Sequence, residues 1–194
     1  MRRMIHLEKK GIRALGIAES FRKNHRYSVI AGVVMRSDLV IDGILFNYAT
    51  IKGDDATSSI ITLYERLKRN DINLIMLDGL IISMYNIIDI EKLYDHLSKP
   101  IIAITFRESE GLDEHIKRRF KDYHNKLDAY HKLGLRETIV IKTGYKLYIR
   151  SKGIDVDDVR LVIDKFTLQG SIPEPIRVAK LIARAYMKVH NHTL

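Results

Sequence analysis

The sequence has no cysteine among its 194 residues, which excludes disulfide bonds, thiolate metal sites and a cysteine nucleophile. It also has no apolar run that approaches the roughly 18 residues of a membrane-spanning helix. Its amino terminus lacks the apolar stretch of a signal peptide. These absences predict a soluble, cytoplasmic protein that does not bind membranes.

Other signatures of common enzyme classes are absent as well. The spacing of serine, histidine and aspartate supports no hydrolase triad, and the sequence has no glycine-rich phosphate loop. No repeat, linker or low-complexity tract divides the chain. Because 194 residues of which 46% are hydrophobic can bury one substantial core, we predict a single domain over residues 1–194, with a flexible tail at about 189–194 that contains His190 and His192.

The chain is strongly basic, with a formal net charge of +9 and an isoelectric point near 9.6. This charge favours a polyanionic partner, which we expect to be DNA or RNA. The first dense basic cluster contains Arg22, Lys23 and Arg26, which we take as candidate nucleic-acid contacts. Two later clusters, at 66–69 and 117–121, lie in predicted helices and fit solvated helix faces better than binding patches.

Hydrophobic periodicity predicts an α/β order of elements. Three apolar segments at 12–17, 27–35 and 39–48 read as antiparallel strands. Further strands are predicted at 74–77, 101–106, 138–142 and 145–150, and helices at 55–68, 87–97, 110–133, 156–168 and 176–189. This order predicts a mixed sheet, with three antiparallel strands first and parallel strands after them, and helices on both faces.

Asp78 is the most informative single residue, because it directly follows the buried strand at 74–77. Ligands of open α/β sheets bind at the carboxyl edges of such strands. Asp-Gly is also common turn chemistry, so capping of a turn explains Asp78 equally well. Tyr85 and Asn86 lie just beyond and are placed to touch a ligand, although packing over the sheet edge would explain them too.

Two separate blocks resemble the endonuclease V superfamily, which has the ribonuclease H-like fold. Residues 77–79 (Leu-Asp-Gly), 89–90 (Asp-Ile) and 99–103 (Lys-Pro-Ile-Ile-Ala) resemble its Val-Asp-Gly strand, the following helix and its Lys-Pro-Thr-Ile-Gly-Val strand. Residues 173–179, Pro-Glu-Pro-Ile-Arg-Val-Ala, resemble its Pro-Glu-Pro-Thr-Arg-Leu-Ala helix start. The blocks come in the order of the superfamily, which makes chance agreement less probable than for one motif alone.

A closer resemblance is to an archaeal family catalogued as domain of unknown function ninety-nine, over about residues 12–187. Its marks here are the segments 16–21, 31–36, 42–43, 54–57, 77–79, 85–90 and 173–175. This resemblance implies the endonuclease V-like fold and a common ancestry, and it implies no particular activity.

The resemblance implies a metal site at which acids from two neighbouring strands hold Mg²⁺ or Mn²⁺ for phosphodiester hydrolysis. Asp78 matches one of these acids and is the best candidate ligand. Ala18 stands where the superfamily has its first-strand Asp, and Glu19 would replace that acid only if the strand ended or bulged there. Asp54 and Asp55 lie near the place of the second acid, although Asp55 equally fits a helix cap.

The chain departs from the superfamily at two further places. Residues 51–54 (Ile-Lys-Gly-Asp) have no counterpart of the aromatic and proline wedge that parts DNA strands, so the sequence does not support specificity for a deaminated base. Asp155 lies in a segment that has lost the superfamily's histidine, and it fits either a ligand or a helix cap. Glu174 is expected to order the start of the last helix, whereas Arg177 is expected to pair with a core acid or a phosphate.

Three functions fit these observations. The leading hypothesis is a divergent endonuclease V-like protein that binds nucleic acid beside Asp78, with Asp78 and Glu19 as the catalytic acids and Mg²⁺ or Mn²⁺ as the cofactor. The second is a nucleic-acid-binding protein without catalysis, which Ala18 and Ile154 favour. The third is an enzyme that acts on a small phosphorylated molecule, for which a basic crevice would serve equally well.

Overall fold

The computed structural model describes residues 11–190, which form a seven-stranded mixed sheet with helices on both faces and a separate two-stranded sheet of Ile81–Ile82 and Asn86–Ile87. The strands are β1 (Arg13–Ser20), β2 (Tyr27–Arg36), β3 (Ile41–Thr50), β4 (Leu74–Leu77), β5 (Ile81–Ile82), β6 (Asn86–Ile87), β7 (Ile101–Thr105), β8 (Glu137–Val140) and β9 (Lys146–Lys152). The helices are α1 (Ala56–Leu67), α2 (Ile90–Leu97), α3 (Asp113–Arg119), α4 (Tyr123–Lys132), α5 (Val156–Phe166) and α6 (Glu174–Val189).

The sheet has the strand order β3-β2-β1-β4-β7-β9-β8. Strands β1, β4 and β7 are parallel to one another, and antiparallel strands flank them on both sides. The predicted mixed α/β sheet is therefore confirmed, with the parallel strands in its middle rather than at one end. Parallel strands buried on both faces suit the continuous apolar run of β4.

Each face of the sheet packs against its own helices. Strand residues such as Leu15, Ile17 and Leu77 face α1 and α2, whereas Ala14 and Ala18 face α5 and α6. Successive side chains on a strand point to alternate faces of the sheet. Once one residue of a regular strand is assigned to a face, the faces of the other residues in that strand are therefore known. Within residues 11–190, no helix is both long and apolar enough to span a membrane.

Helix α6 presses directly on β1, because Gly16 carries no side chain. A Cβ atom at Gly16 would lie 2.3 Å from the carbonyl carbon of Pro175. Glu174 is buried at the start of this helix and accepts hydrogen bonds from both the Nε and Nη2 atoms of Arg177, which is the core acid partner expected of Arg177. The start of α6 is therefore fixed against the sheet.

Three sequence expectations differ from the structure. The helix predicted over 110–133 is two helices, because the backbone is extended at Phe120 and lets Ile116 and Leu127 both be buried. Strand β1 continues past residue 17 to Ser20, and residues 86–87 pair with β5 instead of joining α2. The flexible tail predicted at about 189–194 stays a prediction; within the described residues, α6 ends at Val189 and the His190 ring stacks on Tyr186 with centroids 4.0 Å apart. His192 lies outside the described residues.

Candidate functional site: the Asp78 cleft

Asp78 lies where β4 ends, and its carboxylate faces α6. Its backbone N–H donates to the carbonyl of Ile17, 3.0 Å away, and Gly79 turns the chain with a φ of +78°. The Asp78 Oδ1 atom accepts a hydrogen bond from Lys180 Nζ at 2.8 Å. The side chains of Asp78 and Lys180 are 17% and 22% exposed, so the pair is partly buried and still open to a ligand. The carboxylate thus pairs across the fold instead of capping its own turn.

A cleft of about 580 Å³ opens beside this pair. Its walls combine apolar, hydroxyl and charged groups. The lining side chains with recognition chemistry are the aromatic Phe106, Tyr130 and Tyr148, the hydroxyls of Thr105, Ser109 and Thr138, and the charged Asp78, Glu108, Arg136 and Arg150. Ligand pockets commonly have volumes of about 300–1,000 Å³ and a few polar groups among apolar walls.

Lys180 connects the carboxylate to the aromatic wall of the cleft. Its ammonium nitrogen lies 5.0 Å from the centroid of the Phe106 ring, within the range of a cation–π contact. The ammonium is therefore held on one side by the negative carboxylate of Asp78 and on the other by the ring face. Lys180 is a site residue that the sequence motifs did not predict, although it directly follows the 173–179 block and lies one helical turn after Ile176.

Glu19 lies near Asp78 but on the opposite face of the sheet. Strand β1 is regular through Ser20, and its register with β4 pairs Ile17 with Leu77. The next residues, Ala18 and Asp78, therefore share the α6 face, and Glu19 turns to the α1 face. A methyl group thus stands beside Asp78 where the expected first-strand acid would lie.

The Glu19 carboxylate is buried and bound to the protein itself. Its Oε1 accepts from the Ser83 backbone N–H and its Oε2 from the Ser83 hydroxyl, both at 2.7 Å. Burial raises the pKa of Glu19, the hydrogen bonds from Ser83 and Ser28 offset part of this rise, and the charge of Asp78 adds to it. The two acids therefore sense each other electrostatically while serving different faces of the sheet.

The bonds from Glu19 hold an unusual turn. Ser83, Met84 and Tyr85 join β5 to β6 with φ angles of +48°, +58° and +76°, which are left-handed values that L-residues adopt at a cost. The carbonyl of Ser83 also accepts from the backbone N–H of Lys52 at 2.7 Å. Glu19 and Lys52 therefore stabilise from two sides a turn that would otherwise be strained.

The Ser83 hydroxyl also links Glu19 to a second buried hydroxyl. It lies 2.5 Å from the hydroxyl of Ser28, which in turn lies 3.2 Å from the carbonyl oxygen of Ala49. Glu19 is therefore connected through Ser83 to residues of β2 and β3.

Asp54 and Asp55 are engaged away from Asp78. The Asp55 carboxylate accepts from the backbone N–H of Thr50 at 3.0 Å and from its hydroxyl at 2.7 Å, and it makes no side-chain cap on α1. The Asp54 Oδ1 atom lies 2.5 Å from Lys126 Nζ, and the Asp54 side chain is 82% exposed. The expectation that Asp55 caps α1 through its side chain is wrong, because its oxygens are bound to Thr50 instead.

Asn86 is a structural residue and not a surface contact. It is buried, donates to the Thr50 carbonyl and to Asp55, and accepts from the Ala56 backbone N–H at 2.9 Å. Asn86 thus caps α1, and its predicted role in nucleic-acid binding is corrected because its amide is satisfied inside the protein. Tyr85 remains half-exposed.

The first basic cluster lies at the same sheet edge as Asp78. Strands β1 and β4 are parallel, so the loop that follows β1 and the turn that follows β4 leave the sheet on one side. Lys23 and Arg26 are exposed in this loop, and Arg22 is half-buried. Their side chains are therefore placed to meet an anionic ligand that approaches this edge.

The described residues do not assemble the expected metal site. Among residues 11–190, no group of three histidine, aspartate or glutamate side chains could hold a metal ion. Ala18 offers no oxygen beside Asp78, Glu19 faces the other side, and Lys180 already places a cation on the Asp78 carboxylate. Asp155 occupies the position before α5, and its carbonyl accepts the backbone N–H of Val159.

Comparison with solved structures identifies the class of the fold. The chain is similar to an Archaeoglobus fulgidus protein of unknown function, with a TM-score of 0.78, 26% identity, and coverage of 90% of this chain and 98% of that one. It is also similar to Ciona intestinalis endonuclease V solved in complex with a 24mer DNA containing an inosine followed by a ribo-adenosine, with a TM-score of 0.61, 15% identity, and coverage of 93% and 87%. The fold is therefore that of endonuclease V, a ribonuclease H-like fold, as the sequence motifs predicted.

Sequence comparison then gives the family. The family described as Endonuclease dU matches residues 10–187, and the chain belongs to this family. A UPF0215 protein of Pyrobaculum aerophilum is 44% identical over 172 residues, which are 88% of this chain and 92% of that protein. The resemblance drawn from the motifs, to an archaeal family related to endonuclease V, is confirmed.

Proposed function

We propose that this protein is an endonuclease that cleaves DNA at deoxyuridine and binds the uracil nucleotide in the cleft beside Asp78. The observation that carries the proposal is the Asp78–Lys180 pair, of which Asp78 lines a cleft with aromatic walls. The description of the family supplies the substrate class. The net charge of +9 supports binding of a polyanion at this edge.

The cleft suits a nucleotide turned out of the base stack. Enzymes that act on a single base extrude it into a pocket, where aromatic side chains stack on it and polar groups meet its edge. Phe106, Tyr130 and Tyr148 supply the aromatic surface, and Thr105 and Thr138 supply hydroxyls. The volume of about 580 Å³ leaves room for the base and its sugar.

Uracil in DNA is a deaminated base, and residues 51–54 lack the wedge with which the superfamily parts DNA strands around such a base. Lys52 and Gly53 form a tight turn there, with the Lys52 backbone held to Ser83. A protein without a strand-parting wedge is best suited to DNA that is already unpaired. We therefore expect single-stranded DNA to be cleaved at least as fast as duplex DNA.

The reaction that this geometry favours is phosphodiester hydrolysis by a carboxylate and an ammonium. In this scheme Asp78 takes a proton from the attacking water, whose oxygen bonds to phosphorus, and the leaving sugar oxygen is protonated from solvent. Lys180 offsets the negative charge of the phosphate. The expected Mg²⁺ or Mn²⁺ has no part in this scheme, because the acids around Asp78 do not fit a site for it.

The test compares labelled single strands that differ in one base. Wild type, Asp78→Asn and Lys180→Met are incubated with strands that contain deoxyuridine or thymidine, in EDTA and in Mn²⁺. We expect wild type to cut only the deoxyuridine strand in both conditions, and both variants to lose cleavage. Lys188→Met, an exposed lysine on the same helix, is the matched control and should cut normally. An intact deoxyuridine strand in all conditions would refute the proposal.

One observation favours a second function. Ala18 places a methyl group beside Asp78, which is expected of a protein that kept the scaffold and lost catalysis. Such a protein would bind DNA or RNA in a salt-sensitive way without cutting it. Indifference to every nucleic acid would instead favour a small phosphorylated ligand in the same cleft.

A further inference from the structure

Two arginines stand side by side on the far wall of the Asp78 cleft. Arg150 lies in β9, and Arg136 directly precedes β8. Strands β8 and β9 pair in a register that sets Glu137 opposite Ile149, which brings the neighbouring positions 136 and 150 together. Both side chains line the cleft and both are half-buried.

Neither arginine has an acidic partner among residues 11–190. Arg150 donates from Nε and Nη2 to the Gly134 carbonyl, at 3.1 and 2.7 Å. Arg136 donates to the carbonyls of Ser109 and Arg107 at 3.1 and 3.5 Å. By contrast, the half-buried Arg69 pairs with two carboxylates, those of Asp42 and Asp71.

Two neighbouring guanidinium groups without a carboxylate are electrostatically unfavourable until an anion arrives. Burial lowers the pKa of Arg150, and the positive charge of Arg136 lowers it further. The acids of the same cleft do not relieve this repulsion, because Asp78 bonds Lys180 and the exposed Glu108 forms no salt bridge among the described residues. Forked guanidinium groups match the geometry of phosphate oxygens.

We propose that Arg136 and Arg150 form a phosphate clamp, which binds a backbone phosphate of the DNA strand whose nucleotide enters the cleft. This inference rests on the proposed function in assuming that a strand enters there. Arg150 pairs with Ala103 of β7 and therefore projects to the α1 and α2 face, whereas the Asp78 carboxylate and Lys180 lie on the α6 face. The clamp would fix the register of a strand that crosses the sheet edge, so that the phosphodiester to be cut meets Asp78 and Lys180. Arg136 lies 5.3 Å from the Tyr148 ring, so the clamp adjoins an aromatic surface for the base.

The first experiment measures binding of a labelled single-stranded DNA at several salt concentrations, with Asp78→Asn protein so that nothing is cut. Arg136→Met and Arg150→Met are each expected to weaken binding on the order of tenfold and to lower the slope of log affinity against log salt by about 0.7. Arg136→Lys and Arg150→Lys should keep the slope, because they keep the charge. The control is Arg160→Met, an exposed arginine on α5, which should behave as the parent protein.

The second experiment measures the melting temperature with and without inorganic phosphate. We expect phosphate to raise the melting temperature of wild type and of Arg160→Met, and to have little effect on the double variant Arg136→Met/Arg150→Met. Arginines that only tie down the carbonyls of Gly134 and Ser109 would lower the melting temperature without changing the salt slope or the response to phosphate. That result would overturn the clamp.

The two proposals fail separately. If the chain cuts deoxyuridine DNA while the methionine variants keep the parent salt slope, the clamp is wrong and the proposed function stands. If no DNA is cut or bound while phosphate still stabilises wild type and not the double variant, the anion site is real and the proposed function is wrong.

Discussion

Glu19 and Asp78 are two acids at the ends of neighbouring parallel strands, and they have different environments. Glu19 is buried against α1, where Ser83 binds both of its oxygens. Asp78 is partly exposed against α6, where it pairs with Lys180 and borders a cleft. The difference follows from strand parity, because β1 stays regular through Ser20 and sends successive side chains to opposite faces.

This comparison teaches that nearness along neighbouring strands does not make two acids one site. The Glu19 carboxylate stabilises three consecutive left-handed residues, so it is a structural acid. The Asp78 carboxylate bonds one cation and has an open side, so it is available to a substrate. A substitution of Asp78 should therefore lower activity and change stability little. A substitution of Glu19 should lower stability and change activity little.

The largest expected effect is the loss of cleavage in Asp78→Asn. We expect the rate on deoxyuridine DNA to fall by at least about 100-fold, because general acid–base groups commonly contribute about 10²–10⁴. The melting temperature should change little, since the pair with Lys180 is partly exposed. Rate assays and thermal melts of the same preparation check both points, and a variant that kept full activity would assign the chemistry to another residue.

Gly16→Ala should disturb the packing on the α6 face of the sheet, where Asp78 lies, and leave the α1 face, where Glu19 lies, unchanged. The added Cβ would lie 2.3 Å from the Pro175 carbonyl carbon, so α6 must shift away from β1. We expect a loss of about 3 kcal/mol in the free energy of unfolding, from the cost of overpacking, together with slower cleavage because Lys180 moves with the helix. Denaturant unfolding and rate assays measure the two effects. Unchanged values for both would contradict the close packing of α6 on β1.

Glu19→Ala should give the reverse pattern. It leaves the buried Ser83 N–H without its acceptor and frees a strained turn, so we expect a loss of about 2 kcal/mol in the free energy of unfolding. Cleavage by the remaining folded protein should stay within about twofold of wild type at a temperature well below the melting point, because Glu19 does not line the cleft. A loss of cleavage without a loss of stability would instead indicate that Glu19 has a catalytic role.

The smallest effect is a pH dependence at Glu19. Its pKa in the folded protein is raised above the unfolded value, so its contribution to stability is fully present below the unfolded pKa and is lost as the pH rises through the folded pKa. Glu19→Gln cannot ionise and lacks this loss. The melting temperature of the variant relative to wild type should therefore increase as the pH rises from about 4 to 8. A constant difference would mean that Glu19 titrates normally.

The sequence predicted the parts of the fold and site that depend on local patterns. The apolar run before Asp78 predicted β4 and its carboxyl edge, and the 173–179 block predicted the start of α6. It could not predict the face of Glu19, because this depends on whether β1 ends at residue 17 or continues to Ser20. That continuation is set by pairing with β2 over the whole strand, which is a long-range interaction.

The parts that escaped prediction involve residues distant in sequence. Lys180 lies 102 positions from Asp78, and no sequence motif near either residue predicts that they pair. Arg136 and Arg150 are brought together by the β8–β9 register. In the sequence, each of them has the features of an ordinary surface cation. Asn86 shows the opposite case, because its position after Asp78 suggested a ligand contact while its amide caps α1.

The anchoring of α6 at Pro175 has a mechanical consequence for the chemistry at Lys180. A helix rises about 1.5 Å per residue, so Lys180 lies only about 7.5 Å along the axis from that anchor, whereas His190 lies about 22 Å away. A rocking of the helix by about 5° about its fixed end would displace Lys180 by less than about 1 Å and His190 by about 2 Å. Because Lys180 lies close to the fixed end of α6, thermal motion of the other end of the helix should change the distance from Lys180 to Asp78 very little.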